Sequence, residues 1–139
     1  MSQMTNPYGP GIGLEPARRI AAAAVAAATA NGWTVAVAVA DAAGDLVLFE
    51  RMDGTQVGSI RVALEKACCA VRFKRPTREW EEALAAGRTA VLGIPGVLPV
   101  EGGIPLVDAA GRIVGSIGVS GALATQDGQC AEAGAKAAR

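Results

Sequence analysis

A carboxylate stands directly before two glycines in the segment Glu101-Gly102-Gly103. Glycines lack a Cβ atom, so the backbone at Gly102 and Gly103 can approach a ligand closely and donate amide hydrogen bonds to an anion. A carboxylate enclosed beside such a loop can act as a general base, because burial raises its pKa. We therefore predict Glu101 as a catalytic base, and Gly102 and Gly103 as ligand-binding residues.

Lys66 is the cation that we expect to meet this loop. It falls at the edge of the apolar face of a helix predicted over residues 57–74. There it can bury its stem and keep its charge in water, or pair with an anionic ligand group or with Glu101. We predict Lys66 as a second catalytic residue. The alternative is an exposed Glu101 with Lys66 as its surface partner, a contact that contributes about 0–1 kcal/mol.

Three further residues are predicted to bind the ligand: Arg51, Arg75 and Thr77. Arg51 either pairs locally with Asp53 or holds a ligand carboxylate. Arg75 belongs to a basic cluster over residues 72–78, which is either solvated charge beside an acidic helix or a seat for a carboxylate. Arginine suits such a seat because it binds carboxylates through two parallel hydrogen bonds. Thr77 is also the predicted cap of the third helix.

Two hairpins are expected to position these residues. Each has the turn sequence Asp-Ala-Ala-Gly between two apolar runs, at residues 41–44 and 108–111. The aspartate can bond its own backbone two residues on, and the glycine supplies a positive φ. The strand before the first turn alternates valine with alanine, so we expect a central strand covered on both faces. Residues 88–97 are expected to form a loop that could include a short strand.

Four helices are expected around the sheet. The strongest signal belongs to the second, where apolar residues recur with a period of 3.6. The expected ranges are residues 14–31, 57–74, 77–87 and 129–138, with a cap at residues 125–127 before the last.

Composition limits the domain number and the partners. A chain of 139 residues suits one domain, and we expect a flexible arm over residues 1–13 and a single domain over residues 14–139. The net charge is zero and no basic patch is interleaved with aromatics, which argues against nucleic acid. No apolar run is long enough to span a membrane, and the first residues lack the features of a secretion signal. We therefore expect a cytoplasmic protein.

The sequence contains no histidine and three cysteines. The missing histidine excludes Ser–His–Asp and Cys–His catalysis within one chain, and histidine-ligated zinc or haem. The cysteines lack CxxC spacing, so we predict no metal site. They also form no disulfide framework, which fits a reducing compartment.

Three segments in order resemble the signatures of the GlcG/HbpS-like haem-binding protein family, and the similarity covers residues 14–138. Each segment alone is mostly turn chemistry, whereas three with these spacings are specific. The matching residues are 36–47 with 51–54, then 66–67 with 76–77, then 102–105, Gly111, 115–121 and Asp127.

The resemblance implies an α+β domain, with an antiparallel sheet of about five strands and helices packed on it, similar to profilin and PAS-like sheets. It also implies homo-oligomers and, in some members, haem binding or a place as the C-terminal domain of PduO-type cobalamin adenosyltransferases. Without histidine, haem iron would need Thr77, Lys66, Met52, Tyr8 or a cysteine as its ligand. Otherwise haem would be held by its shape and its propionates.

Two functions from different classes follow. The first is an oligomeric binding protein for a small molecule, either haem or another flat anionic ligand, and the cofactor stays unknown at this point. The second is a cofactor-independent isomerase, hydratase or lyase that acts on a small carboxylic acid. In that enzyme Glu101 is the base, and Lys66 and Arg51 hold the carboxylate or stabilise an enolate. A structural oligomer without a ligand is the third alternative.

Overall fold

An antiparallel sheet of four strands forms the centre of the computed structural model, which describes residues 3–138. The α+β class and the antiparallel sheet are confirmed. Within the described residues the sheet has four strands rather than about five, because residues 88–97 contain a short 3-10 helix, Thr89–Gly93, and no strand. The strands are β1 (Ala36–Asp41), β2 (Leu46–Arg51), β3 (Gly103–Val107) and β4 (Ile113–Ser120), in the spatial order β2-β1-β4-β3.

Both hairpin turns form as the sequence predicted. The side chains of Asp41 and Asp108 each accept hydrogen bonds from the amides two and four residues further on. Gly44 and Gly111 close the turns with φ values of +86° and +79°. Side-chain bonding and a left-handed glycine together fix the turn geometry, and with it the strand register.

Helices cover both faces of the sheet. Helices α1 and α4 pack on one face against the valines of β1, and α2 packs on the other against its alanines. β1 is therefore buried on both faces, as its alternating sequence predicted. No helix among the described residues is both long and apolar enough to cross a membrane. The helices are α1 (Leu14–Ala30), α2 (Gly58–Arg72), α3 (Thr77–Ala85) and α4 (Ala124–Lys136).

The start of α4 differs from the prediction. The helix begins at Ala124 rather than near residue 129, so Asp127 lies inside its first turn and does not cap it. Thr77 likewise makes no capping hydrogen bond at the start of α3. These two polar side chains are turned inward instead, where both are buried.

The segment before α1 runs beside the start of β4. Gly9 donates its amide hydrogen to the carbonyl of Ile113, and Ile12 donates to the carbonyl of Val114. This segment lies next to β4 beyond the last residue that β4 shares with β1. Residues 1–2 of the predicted arm lie outside the described residues, and the flexibility expected for residues 1–13 stays a prediction.

Candidate functional site

A pocket of about 630 Å³ opens between the start of β3 and helices α3 and α4. Its apolar lining comes from Pro76, Ile104 and Ala133, together with three glycines. Cavities of this size typically take small organic ligands. The charged side chains that line it are Arg78, Glu101, Glu132 and Lys136.

Two glycines let one wall of this pocket lie directly on α2. Gly102 has a φ of +135°, and a Cβ atom there would lie 2.8 Å from Nζ of Lys66 and 2.5 Å from the carbonyl oxygen of Val119. A Cβ atom at Gly103 would collide with the carbonyl oxygen of Lys66. Only residues without side chains fit between the pocket and this helix. The structure therefore brings the Glu101-Gly102-Gly103 loop and Lys66 together.

The carboxylate of Glu101 lies over Gly128 on α4, where an added Cβ atom would collide with it. The backbone amide of Glu101 donates to Oε1 of Glu81, at 3.1 Å. Burial raises the pKa of Glu101, the nearby Arg78 guanidinium opposes that shift, and the carboxylates of α3 add to it. Among the described residues no donor hydrogen-bonds its side chain, so this carboxylate is available to a ligand.

Lys66 does not reach the pocket. Its side chain is only 1% exposed, and its Nζ lies 3.1 Å from Oδ2 of Asp127 and donates to the carbonyl of Val119 at 2.9 Å. Asp127 in turn accepts the amide hydrogen of Ala122 at 2.9 Å. Burial lowers the pKa of Lys66 and raises the pKa of Asp127, while the attraction within the pair opposes both shifts.

The other predicted ligand-binding residues lie around or away from the pocket. Arg51 ends β2, at the far edge of the sheet, three strand spacings or about 14 Å from β3. The guanidinium of Arg75 stacks on the ring of Trp80, 4.4 Å from its centroid. Thr77 is fully buried and accepts the amide hydrogen of Gly103 at 2.8 Å. The structure therefore gives Thr77 a supporting place and does not bring Arg51 or Arg75 to the pocket lining.

Sequence reasoning missed most of the α4 side of the site. Arg78 and Lys136, not Arg51 and Arg75, are the cations that line the pocket. Gly128 was not expected in the pocket lining, nor Asp127 beneath it, because the last helix was predicted to begin after both residues. One signal was available: Asp127 and Lys66 both belong to the segments that resemble a known family, and each has a charged side chain of a kind that is rarely buried without a partner.

Comparison with known proteins agrees with this architecture. A family model described as "Haem degrading protein HbpS-like" matches residues 12–136. The chain belongs to this family. Among curated relatives, Protein GlcG of Escherichia coli K12 is 40% identical over 104 residues, which are 75% of this chain and 77% of that protein.

Solved structures of HbpS-like proteins share the fold. A double mutant of HbpS from Streptomyces reticuli has a TM-score of 0.82 and 40% identity, over 92% of this chain and 87% of that one. A PduOC:heme complex has a TM-score of 0.81 and 26% identity, over 91% of this chain and 94% of that one.

The described pocket offers haem iron none of its usual protein ligands. No residue lining the described pocket is a histidine, cysteine, methionine or tyrosine. The side chains that the sequence offered as iron ligands are engaged elsewhere. Lys66 pairs with Asp127, Thr77 and Cys69 accept backbone amides, Met52 accepts the amide of Val35, and Tyr8 donates to the carbonyl of Val71. Cys68 and Cys130 are buried as well.

Proposed function

We propose that this HbpS-like protein binds a small, flat, anionic organic molecule in the pocket beside Glu101. The observation that carries the proposal is the lining itself, in which apolar groups and glycines form the walls. Arg78 and Lys136 supply positive charge beside Glu101 and Glu132, and Arg78 also pairs with Glu82 at 3.2 Å. A planar ligand can lie against the walls while its carboxylates bind these cations. One solved relative is described as a haem complex, which supports a porphyrin as the first ligand to test.

Recognition would then rest on shape and carboxylates rather than on iron. We accordingly expect haemin and metal-free protoporphyrin IX to bind with similar affinity, because the pocket lining offers no histidine, cysteine, methionine or tyrosine to the metal. Quenching of tryptophan fluorescence on titration with each porphyrin measures this. Binding of haemin alone, or of neither porphyrin at micromolar concentration, would contradict the proposal.

Charge variants locate the binding site. The double variant Arg78→Ala/Lys136→Ala should weaken porphyrin binding by about tenfold or more, since each ligand carboxylate loses a charged partner. Arg18→Ala/Arg61→Ala is the matched control, because it removes two exposed cations that do not line the pocket. Arg51→Ala tests the other cation that the sequence proposed, and we expect it to behave like the control. Equal affinities in all variants would show that the ligand binds elsewhere.

A second function is favoured by one observation, the unpaired carboxylate of Glu101 with its raised pKa. Such a group can remove a proton next to the carbonyl of a small acid and return it, as an isomerase or lyase requires. Deuterium incorporation into pyruvate, oxaloacetate and 2-oxoglutarate in D₂O, followed by NMR, tests this activity. Exchange that is catalysed by the parent protein and lost in Glu101→Gln would favour the enzyme over the binding protein.

A further inference from the structure

A buried ion pair lies directly beneath the pocket wall. Asp127 and Lys66 are 2% and 1% exposed, and they join α4 to α2 through the core. Neither side chain lines the pocket. The role of Asp127 and Lys66 therefore has to be found in the backbone groups that they hydrogen-bond.

The ammonium of Lys66 is connected to the glycine wall through the backbone of one residue, Val119. Nζ of Lys66 donates to the carbonyl of Val119 at 2.9 Å, and the amide of Val119 donates to the carbonyl of Gly102 at 2.9 Å. Gly102 also packs on Nζ itself, since a Cβ atom there would lie 2.8 Å from it. The position of Gly102 thus depends on where this ammonium is held.

Asp127 fixes the opposite wall. Its Oδ1 accepts the amide hydrogen of Ala122, and its Oδ2 bonds the Lys66 ammonium, so the first turn of α4 is tied to the loop that follows β4 and to α2. The next residue, Gly128, is the one on which the Glu101 carboxylate rests. A shift of Asp127 would therefore move the surface that supports Glu101.

We propose that Asp127 and Lys66 are positioning residues, which hold the Gly102–Gly103 wall and Gly128 at the spacing that places the Glu101 carboxylate in the pocket. The proposal rests on the proposed function only in treating this pocket as the ligand site. The anchoring itself is tested without a ligand, so a failed porphyrin titration leaves the test intact.

Stability alone does not account for the pair. Taking two charges out of water is unfavourable, and replacing a buried ion pair by well-packed apolar side chains is often neutral or stabilising. A hydrophobic pair at these two positions would fill the core but would leave the carbonyl of Val119 and the amide of Ala122 without their present partners. What the ion pair supplies, and a hydrophobic pair would not, is hydrogen bonding to the backbone of Val119 and Ala122, beside the two pocket walls.

The test compares Lys66→Met/Asp127→Leu with the parent protein by amide hydrogen exchange and by NMR titration of the Glu101 carboxyl. The diagnostic amides are those of Gly103 and Val119, and the amides of β1 report on the rest of the sheet. Arg61→Ala/Glu65→Ala is the matched control, because it removes an exposed ion pair from the same helix. The other charges around Glu101 stay in place in both variants, namely Arg78, Glu81 and Glu82 on α3 and Glu132 and Lys136 on α4.

In the double variant we expect exchange at Gly103 and Val119 to become about tenfold faster or more, with β1 amides unchanged. The pKa of Glu101 should rise, because the Lys66 charge that lowers it is gone. Asp127→Asn, which keeps an oxygen for the Ala122 amide and leaves the Lys66 charge in place, should speed exchange at the two loop amides to a smaller extent and should not raise the pKa of Glu101. Unchanged loop exchange in the folded double variant would overturn the proposal whatever the Glu101 titration shows, because loss of the Lys66 charge can shift that titration without moving the loop. An equal loss of protection at every amide would overturn it too, since that result indicates a purely structural role.

Discussion

Glu101 and the glycine beneath it set the chemistry of the pocket at the scale of single residues. The carboxylate is held where burial disfavours its charge, and Arg78 only partly offsets this. Gly128 provides the space, because any side chain at that position would occupy the volume of the carboxylate. An unpaired carboxylate is thus positioned by the absence of a side chain on a neighbouring helix.

Glu101→Gln should remove the contribution of Glu101 to the pH dependence of stability, and the direction of that contribution is defined. The folded pKa of Glu101 lies above its ordinary value, so the neutral acid is favoured by folding. The stabilising contribution is therefore present below the unfolded pKa and is lost as the pH rises through the folded pKa. Thermal unfolding should show equal Tm values for variant and parent near about pH 3, and a higher Tm for the variant near neutral pH. A variant that is less stable than the parent at neutral pH would contradict the raised pKa.

Gly128→Ala should stabilise the fold while it disturbs the site. Alanine is favoured over glycine inside a helix by up to about 1 kcal/mol, and its methyl group would displace only the flexible end of Glu101. The pKa of Glu101 should then fall toward its ordinary value as the carboxylate moves into solvent, which NMR titration measures. Gly134→Ala on the same helix is the control, since its methyl group would meet Ile117 in the core and should destabilise the protein. An unchanged Glu101 titration in Gly128→Ala would show that the carboxylate does not rest there.

The absence of an iron ligand leads to a spectroscopic prediction. Haemin added to the pure protein should give no sharp low-spin Soret band, because the chain contains no imidazole and the other candidate ligands are engaged. Absorbance spectroscopy before and after gel filtration checks this. A stoichiometric, sharp spectrum that survives gel filtration would contradict it, and Lys66, Met52 and Cys69 would be the ligands to substitute.

The sequence predicted part of the site because some residues carry a local signal. The glycines after Glu101 indicated a close approach of backbone, and the helical period of α2 placed Lys66 on its apolar edge, so their meeting could be expected. Asp127 had no such signal, because an aspartate near a helix start is typical of a cap as well as of a buried partner. The choice between them depends on the position of α4 relative to α2, which no local pattern encodes.

At the scale of elements, α2 can lie on the sheet only because small residues face each other. A Cβ atom at Gly118 on β4 would collide with the carbonyl oxygen of Ala63 and lie 2.5 Å from the amide nitrogen of Ala67. Both contacts are with backbone, which cannot move aside as a flexible side chain can. The alanines of β1 face the same helix, so the spacing between helix and sheet is uniformly short.

Gly118→Ala should therefore destabilise the protein by about 2–4 kcal/mol, because the helix must shift away from the sheet. Urea unfolding of variant and parent measures the difference. Gly58→Ala at the start of α2 is the control, since nothing lies within 4 Å of its added methyl group, and its effect should stay within about 0.5 kcal/mol. A Gly118→Ala variant as stable as this control would contradict the packing described for α2.

Elements were predicted where the pattern is repeated and strong, and missed where it is short. The Asp-x-x-Gly turns and the period of α2 predicted hairpins and a helix close to the observed bounds. The sequence of residues 88–97 predicts a loop with room for a strand, whereas the segment forms the 3-10 helix Thr89–Gly93. Its fold is decided by tertiary contacts, since Val91 packs on Trp80 and Cys69 in a small cluster. A window of ten residues contains no period that reports such contacts.

At the scale of the whole molecule, the two edges of the sheet differ. The β3 edge carries Pro105, which has no amide hydrogen, and the amide of Gly103 is taken by Thr77. Such features block pairing with another strand. β2 pairs only with β1 among the described residues, and Leu46 on it is 49% exposed. The open, apolar edge of the molecule is therefore β2.

We predict that the protein forms a homo-oligomer in which a second copy of this chain covers the β2 edge. The two-faced apolar strand β1, from which assembly could be expected, does not supply the reason, because helices within the same chain cover both of its faces. The reason for assembly lies instead in the unpaired β2 edge, since an exposed apolar edge strand favours pairing with another chain. Multi-angle light scattering at micromolar concentration should give a mass that is a multiple of the monomer mass, and a monomer would contradict the prediction.

Arg51→Pro adds a test of the edge itself. The Arg51 amide points away from β1, because the neighbouring Met52 amide bonds Val35. Proline there should therefore reduce assembly, whereas Arg51→Ala, which keeps the amide hydrogen, should not.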